Sequence, residues 1–298
     1  MAKTLSKALG IDIGGSGVKG APVNIKKGIL LAPRYRLPTP KPATPEAIAG
    51  TVAALVAHFE WKGPVGCTVP ARVRGGVVET AANIDKSWIG TEVARLFSQA
   101  TGLPVAVLND ADAAGIAEMR FGAGKGHRGV ALLLTFGTGI GSALFRDSRL
   151  LPDTEFGHLQ LNGRLAEHFA SDAVRGAEGL SWEAWARGRV QPYLEHVEFL
   201  LDPDLLIIGG GVSRPDRWAS FGPLLHTRAR LLPAALGNDA GIVGAAYAAR
   251  ALVPRRRKRT KKSGPIPEEK ASAAAQKPSK ARRKPKAVPE RGSSSRKK

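Results

Sequence analysis

Three glycine-rich segments have the composition of loops that bind phosphate groups through backbone amides. The first follows Asp12, the second is Thr135–Ser142, and the third is Gly209–Gly211. Glycine lets a backbone N–H approach a phosphate oxygen closely, and the Thr138 hydroxyl adds a side-chain donor. Three such segments in one chain are more specific for phosphate chemistry than any one alone. The candidate phosphate-binding residues are Gly14, Gly15, Ser16, Gly17, Lys19, Thr138, Gly139 and Gly210.

The first glycine segment also matches the G-x-G-x-x-G pattern of dinucleotide-binding folds, from Gly15 to Gly20. That pattern normally opens a helix, whereas Pro22 and the apolar residues around it predict a second strand. Asp12 would repel a pyrophosphate unless a divalent cation lay between the two. A purely structural hairpin is an alternative for the glycines alone. Asp12 favours metal-assisted phosphoryl transfer, in which it holds Mg²⁺ through water.

Asn109 and Asp110 follow the apolar stretch Val105–Leu108. A carboxylate at the end of a buried strand is a candidate general base that accepts a hydroxyl proton, and Asn109 could orient the substrate. The alternative is that Asp110 or Asp112 caps the helix that follows. Both roles are compatible if Asp112 is the cap and Asp110 is the base.

Glu155 and His158 flank a glycine and could hold neighbouring hydroxyl groups of a sugar. A carboxylate accepts two hydrogen bonds, and a neutral imidazole donates or accepts one. An isolated histidine is more often structural, so the nearby glutamate carries this interpretation. Trp182 and Trp185, at helical i,i+3 spacing, predict core packing rather than a carbohydrate platform.

These residues need strands and helices that alternate along the chain, which predicts an α/β fold with ligands at the carboxyl ends of the strands. The segments 10–17 and 133–141 share one plan, in which a strand, a glycine turn and a second strand follow each other. The repeat suits two related lobes, and a coincidence of two hairpins is the alternative. Predicted strands are 8–13, 18–23, 64–69, 105–108, 130–134, 142–145 and 205–208. One predicted helix begins at Thr44, and the others span 91–101, 113–121, 165–176, 181–201 and 240–252.

The charge is concentrated in the last 45 residues. The chain carries 45 basic and 25 acidic residues, and residues 254–298 hold 18 of the former and 3 of the latter. This segment lacks the apolar residues needed for a core, which predicts a disordered tail. The two alternatives are a tail that serves solubility only and a tail that binds polyanions including nucleic acid. No signal peptide or membrane span is predicted, so we expect a soluble, cytoplasmic protein.

Several of these segments also occur together in one known family. They are Ile11–Lys19, Leu108–Asp112, Leu134–Gly141, Glu155–His158 and Gly209–Val212. In this combination the sequence resembles the ROK family of sugar kinases, within the actin/hexokinase-like superfamily. The stretches Pro38–Glu46, Thr80–Gly90 and Asp110–Ala123 resemble the polyphosphate glucokinases of that family. The resemblance covers roughly residues 8–250.

The resemblance implies a two-lobed, ribonuclease H-like α/β fold with the active site in the cleft between the lobes. Residues 1–110, joined by the terminal helix 240–253, would form one lobe and residues 111–239 the other. Asp110 corresponds to the catalytic base, and Asp12 belongs to the phosphate and Mg²⁺ region. No zinc is expected, because residues 159–180 contain no cysteine and Cys67 is the one cysteine of the chain. The residues that correspond to sugar contacts are Asn83, Asn109, Glu155, His158 and Glu167.

The implied reaction is phosphorylation of the glucose 6-hydroxyl with inorganic polyphosphate, and also ATP, as donor. One alternative is an ATP-dependent ROK kinase for another hexose. Another is a non-catalytic sensor whose basic tail binds nucleic acid. A second copy of the chain is a further candidate partner, as a homodimer. Ala71 stands where the family usually has glycine in the sugar-side loop, and its methyl group could crowd the sugar or exclude a positive φ.

Overall fold

The computed structural model describes residues 5–81 and 84–252, so Asn83 and the predicted tail 254–298 lie outside the described residues. Strands and helices alternate along the described part, which confirms the α/β class. The strands are β1 (Lys7–Ile13), β2 (Val18–Asn24), β3 (Ile29–Leu30), β4 (Tyr35–Leu37), β5 (Val65–Val69), β6 (Val73–Arg74), β7 (Val77–Val78), β8 (Val105–Asn109), β9 (Val130–Phe136), β10 (Ile140–Arg146), β11 (Arg149–Leu151), β12 (Gln160–Leu161), β13 (Arg164–Leu165), β14 (Leu205–Gly210) and β15 (Arg230–Pro233).

The helices begin where the sequence offers capping residues. Thr44 accepts a hydrogen bond from the amide of Ala47, and Pro45 occupies the first turn of the helix it opens. Among the described residues, no helix has both the length and the apolar composition needed to cross a membrane. The α-helices are α1 (Pro45–His58), α2 (Val93–Thr101), α3 (Asp110–Phe121), α4 (Glu167–Ala170), α5 (Asp172–Ala177), α6 (Trp182–Trp185), α7 (Gln191–Leu201), α8 (Pro215–Phe221) and α9 (Ala240–Ala248), and short 3₁₀ turns span Lys86–Trp88, Phe156–His158, Gly211–Ser213, Gly222–Leu224, Gly237–Asp239 and Ala249–Leu252.

The two main sheets share one topology. The first has the strand order β3-β2-β1-β5-β8, with β4 paired to β2, and the second has the order β11-β10-β9-β14-β15. In each sheet an antiparallel hairpin, β1–β2 or β9–β10, is followed by two strands parallel to its first strand. The repeat seen in the sequence therefore reflects two equivalent sheets. All three glycine segments lie at carboxyl ends of parallel strands, namely β1, β9 and β14.

The last helix packs closely on the first sheet and on α3. A Cβ atom added at Gly10 of β1 would meet the backbone carbonyl of Ile242, and one added at Gly66 of β5 would meet that of Ala245. Gly244 lies in the same way against the carbonyl of Ala113 in α3. Glycine at these positions lets backbone contact backbone, so α9 holds the first sheet and α3 together.

Two predicted helices differ from the observed ones. The helix expected at 165–176 is divided into α4 and α5, because Ser171 has an extended backbone (ψ 159°) and caps a new helix through the amide of Val174. The helix expected at 181–201 contains a π-helical turn, Ala186–Val190, between α6 and α7. Trp185 is fully buried and Trp182 packs against the same core, as their spacing predicted.

Candidate active site

Residues from both sheets line a cavity of about 180 Å³ at the carboxyl ends of the strands. Asp12 and Lys19 come from the β1–β2 hairpin, Asp110 follows β8, and Thr135 and Gly210 belong to the second sheet. Residues almost 200 positions apart in the sequence thus face one space. The cavity brings together the predicted metal-binding carboxylate, the predicted base and one predicted phosphate loop.

Asp12 is held by polar neighbours on both carboxylate oxygens. The Thr68 hydroxyl donates to Oδ1 at 2.8 Å, and the Lys19 Nζ lies 3.5 Å from Oδ2. A Cβ atom added at Gly241 of α9 would lie 3.0 Å from the Asp12 Cγ, so the last helix also closes on this carboxylate. Sequence analysis missed Thr68. Its signal was a polar residue within the otherwise apolar Val65–Val69 strand.

Asp110 has an environment suited to a general base. Burial, together with the negative charge of Asp12, raises the pKa of its carboxyl group from 3.8 to about 6. The amide of Ala111 donates to Oδ1 at 2.8 Å, which fixes the carboxylate at the first turn of α3. A base with a pKa near neutrality combines a substantial ionised fraction with a useful proton affinity.

Asn109, and not Asp112, caps α3. The Asn109 Oδ1 accepts hydrogen bonds from the amides of Ala111 and Asp112 at 2.8 and 3.1 Å. Its backbone is extended (ψ 149°), as a capping residue requires, whereas Asp112 is already inside the helix. The prediction that Asp112 is the cap was therefore wrong. Asp112 is instead a buried carboxyl group, and burial raises its pKa to about 7.

The Asn109 amide nitrogen donates to the Ala71 carbonyl at 3.2 Å, which joins the residue before the base to the sugar-side loop predicted from the sequence. The Ala71 side chain is buried in the core of the first sheet. The backbone of Ala71 does not have a positive φ. The expected conflict with a positive φ was therefore wrong, because the loop takes a conformation that alanine adopts freely, and crowding of the sugar by the methyl group stays a prediction.

Three predicted sugar-binding residues, Glu155, His158 and Glu167, form a cluster of their own. The His158 Nε2 lies 3.5 Å from a Glu167 oxygen, and Glu167 packs against Gly139 of the second glycine segment. Burial raises the pKa of Glu155, whose charge also acts on Asp110. The cluster is thus electrostatically coupled to the base. Asn83, the remaining predicted sugar contact, lies outside the described residues.

The first glycine segment lines a different cavity from the carboxylates. Gly14 and Gly15 border a space of about 340 Å³, together with Thr39 and Trp88. The Thr39 hydroxyl donates to the Gly14 carbonyl at 2.6 Å, and Arg36 donates to the carbonyl of Ser16. Ser16 and Thr138 are exposed at the tips of their loops. The third segment is the most constrained, because Gly210 has φ +83° and its α-carbon faces the carbonyl of Phe136.

The Asp12 carboxylate, which faces the same cavity as Asp110, fits a magnesium ion that is bound mainly by water and substrate phosphates. Mg²⁺ in kinase sites typically takes one or two carboxylates and keeps several waters. The described residues contain no cluster of three or more histidine, cysteine or acidic side chains placed to enclose a metal. A single carboxylate donor suits a metal that arrives with the substrate better than a resident structural ion.

The fold and site place this chain among known sugar kinases. A model of the ROK family matches residues 8–190, and the chain belongs to that family. It is 50% identical over 249 residues to the polyphosphate glucokinase of Mycobacterium tuberculosis, covering 83% of this chain and 92% of the relative. The polyphosphate glucokinase of Mycobacterium leprae is 49% identical, over 83% of this chain and 76% of its own.

Two solved structures extend the comparison. The inorganic polyphosphate/ATP-glucomannokinase of Arthrobacter sp. strain KM matches 83% of this chain and 99% of its own, at 48% identity with a TM-score of 0.78. A ROK family glucokinase from Streptomyces griseus, solved in complex with glucose and AMPPNP, matches 82% of this chain and 99% of its own, at 28% identity with a TM-score of 0.66. These matches confirm the predicted fold and show that the chain is a kinase.

Proposed function

We propose that this protein transfers the terminal phosphoryl group of inorganic polyphosphate, and also of ATP, to the 6-hydroxyl of glucose. The observation that carries the proposal is the pairing of partly buried Asp110 with Asp12 in one cavity. The names of the M. tuberculosis and Arthrobacter proteins support the donors and the sugar. Phosphoryl transfer needs positioning and charge stabilisation more than covalent catalysis, which suits a site of loops and two carboxylates.

In the proposed reaction the Asp110 carboxylate accepts the proton of the glucose hydroxyl as its oxygen attacks the terminal phosphorus. The O–P bond forms at this oxygen, and the bond to the remaining donor breaks. The amides of the glycine segments around Gly210 hold the donor phosphates. Mg²⁺ bound near Asp12 would supply positive charge to neutralise the phosphates. Lys19 adds a fixed positive charge beside Asp12.

The sugar would lie between Asn109 of the first lobe and the Glu155–His158–Glu167 cluster of the second. We propose that two lobes close on the sugar, one formed by residues 1–110 with 240–253 and the other by residues 111–239. Closure would exclude water and favour the sugar hydroxyl over hydrolysis of the donor. A homodimer, a cytoplasmic location and a polyanion-binding tail remain predictions.

A coupled glucose-6-phosphate assay tests this function directly. The assay compares polyphosphate with ATP as donor, and glucose with mannose and fructose as acceptors. We expect turnover of glucose with both donors, loss of turnover when EDTA removes Mg²⁺, and recovery when Mg²⁺ is restored. Elemental analysis of the purified protein should find no stoichiometric zinc. Absence of turnover with every donor and sugar would refute the proposal, and preference for mannose would correct its acceptor.

A further inference from the structure

A large basic groove lies apart from the candidate active site. It encloses about 1210 Å³, and among the described residues that line it seven are basic and one, Asp147, is acidic. All seven basic residues are exposed. They are Lys26, Lys27, Arg120, Lys125, Arg128, Arg149 and Arg250.

The direction of the chain places this groove at the opposite end of the sheets from the cleft. β2 and β10 both start at the glycine segments and run away from them, and their far turns contribute Lys27 and Arg149. α3 starts at Asp110 in the cleft and ends beside Arg120, which at 1.5 Å per residue separates the two by roughly 15 Å. The groove is therefore a second site rather than an extension of the first.

Acidic side chains that line the groove neutralise little of its positive charge. Asp147 already accepts a hydrogen bond from the amide of Gly129 and lies 3.6 Å from Arg146. Many other surface arginines have a carboxylate partner, such as Arg187 with Glu183 at 3.1 Å. Apart from Arg250, the groove cations form no close ion pair with a carboxylate among the described residues. Six such cations that converge on one concave surface attract a polyanion strongly and release its counterions.

Three aromatic residues line the groove: Phe145 is buried, Phe121 packs edge-on against Tyr247, and Tyr247 is covered by guanidinium groups. The Arg250 guanidinium carbon lies 3.6 Å from the centre of the Tyr247 ring, and that of Arg120 lies 5.7 Å away. Stacked guanidinium groups direct their N–H donors sideways, where phosphate oxygens can accept them. They also occupy the space in which a nucleobase would stack on the ring. This arrangement favours a chain of phosphates over a nucleic acid.

We propose that the groove binds long-chain inorganic polyphosphate at a site remote from the cleft, an assignment of ligand that rests on the proposed function. The described chain ends at Leu252, next to the groove residues Arg250 and Ala251. The sequence that continues from there carries five consecutive basic residues, 255–259. The positive charge of the groove is thus continuous along the chain with that of the predicted tail.

The proposal predicts a dependence on donor length. A polyphosphate long enough to reach around from the cleft occupies both sites, so groove binding raises the effective concentration of its end at the active site. A short donor, such as tripolyphosphate or ATP, occupies the cleft alone. The groove should therefore lower the KM for long chains and leave short donors unaffected.

The test compares two triple variants of the full-length protein. The groove variant combines Lys27→Ala, Lys125→Ala and Arg149→Ala, none of which belongs to the cleft. The control variant combines Lys62→Ala, Arg95→Ala and Arg214→Ala, which remove the same charge from exposed positions outside the groove. We expect the groove variant to raise the KM for polyphosphate of several hundred units by about 10-fold and to weaken its salt dependence. Its kinetics with ATP and tripolyphosphate, and all kinetics of the control, should stay within about twofold.

Direct binding of the same polyphosphate at two salt concentrations separates this proposal from the proposed function. If the unaltered protein turned over no donor, the proposed function would fail, while a selective loss of binding in the groove variant would still support the site. An unchanged long-chain KM and affinity in the groove variant would overturn the proposal. Equal losses in the control would do the same. Tighter binding of a duplex oligonucleotide of matched charge would overturn the choice of polyphosphate.

Discussion

Replacing Asp110 by asparagine should abolish activity and stabilise the fold. Asparagine cannot accept the hydroxyl proton, and a positioned general base typically contributes about 10²–10⁴ in rate, so kcat should fall by that factor. The asparagine oxygen can still accept the hydrogen bond from the amide of Ala111. The helix start is therefore preserved, and the loss can be attributed to chemistry.

The stability gain follows from the raised pKa. Burial and Asp12 move the pKa of Asp110 from 3.8 to about 6, which corresponds to roughly 3 kcal/mol at about 1.4 kcal/mol per pH unit. Because the folded state holds this proton more tightly than the unfolded state, the native protein loses stability as pH rises from about 4 to about 6. Asparagine does not titrate, so the variant should be more stable by up to about 3 kcal/mol above that window and by little below it.

Asp112→Asn provides the matched control. Asp112 is also buried with a pKa raised to about 7, but it does not line the described cavity and its Oδ1 has no hydrogen-bond partner among the described residues. Its variant should gain stability at about pH 8 while kcat stays within about threefold. Urea unfolding at about pH 5 and pH 8, with the coupled assay, measures both effects. Asp110→Asn with more than a tenth of native kcat would refute the assignment of the base.

The remaining predictions concern Asp12, one glycine and the tail. Thr68→Val removes the donor to Asp12, so kcat should fall about 10-fold with glucose KM nearly unchanged. The control Thr51→Val in α1 should have no effect on kcat. Equal kcat in both variants would contradict the role of Thr68. Gly210→Ala introduces a Cβ at φ +83° that meets the Phe136 carbonyl, and it should lower the free energy of unfolding by about 2 kcal/mol or more. The control Gly211→Ala should lower it by less than about 1 kcal/mol. Deleting 254–298 should leave kcat with ATP unchanged and weaken polyphosphate binding at low salt, and identical binding curves with and without the tail would exclude that role.

The sequence by itself determined the main strands of this protein and the hairpin plan that its two sheets share. Val18–Asn24 was predictable as a strand because Pro22 excludes a helix interior, and this separated the first glycine segment from a dinucleotide fingerprint. The α1 start was equally clear, since Thr44 and Pro45 specify a helix N-terminus through local contacts. Such features depend on residues close in sequence, where the chain supplies its own partners.

Tertiary structure decided which polar residues cap, which react and where charges meet. Asn109 and Asp112 are both good capping residues, and only the backbone angles at the end of β8 gave the role to Asn109. Thr68 and Asp12 lie on neighbouring strands but 56 positions apart in the sequence, so no local pattern could reveal their contact. The basic groove has the same origin: its lysines and arginines lie on separate turns and helix ends, and their charges add up because the two sheets end side by side.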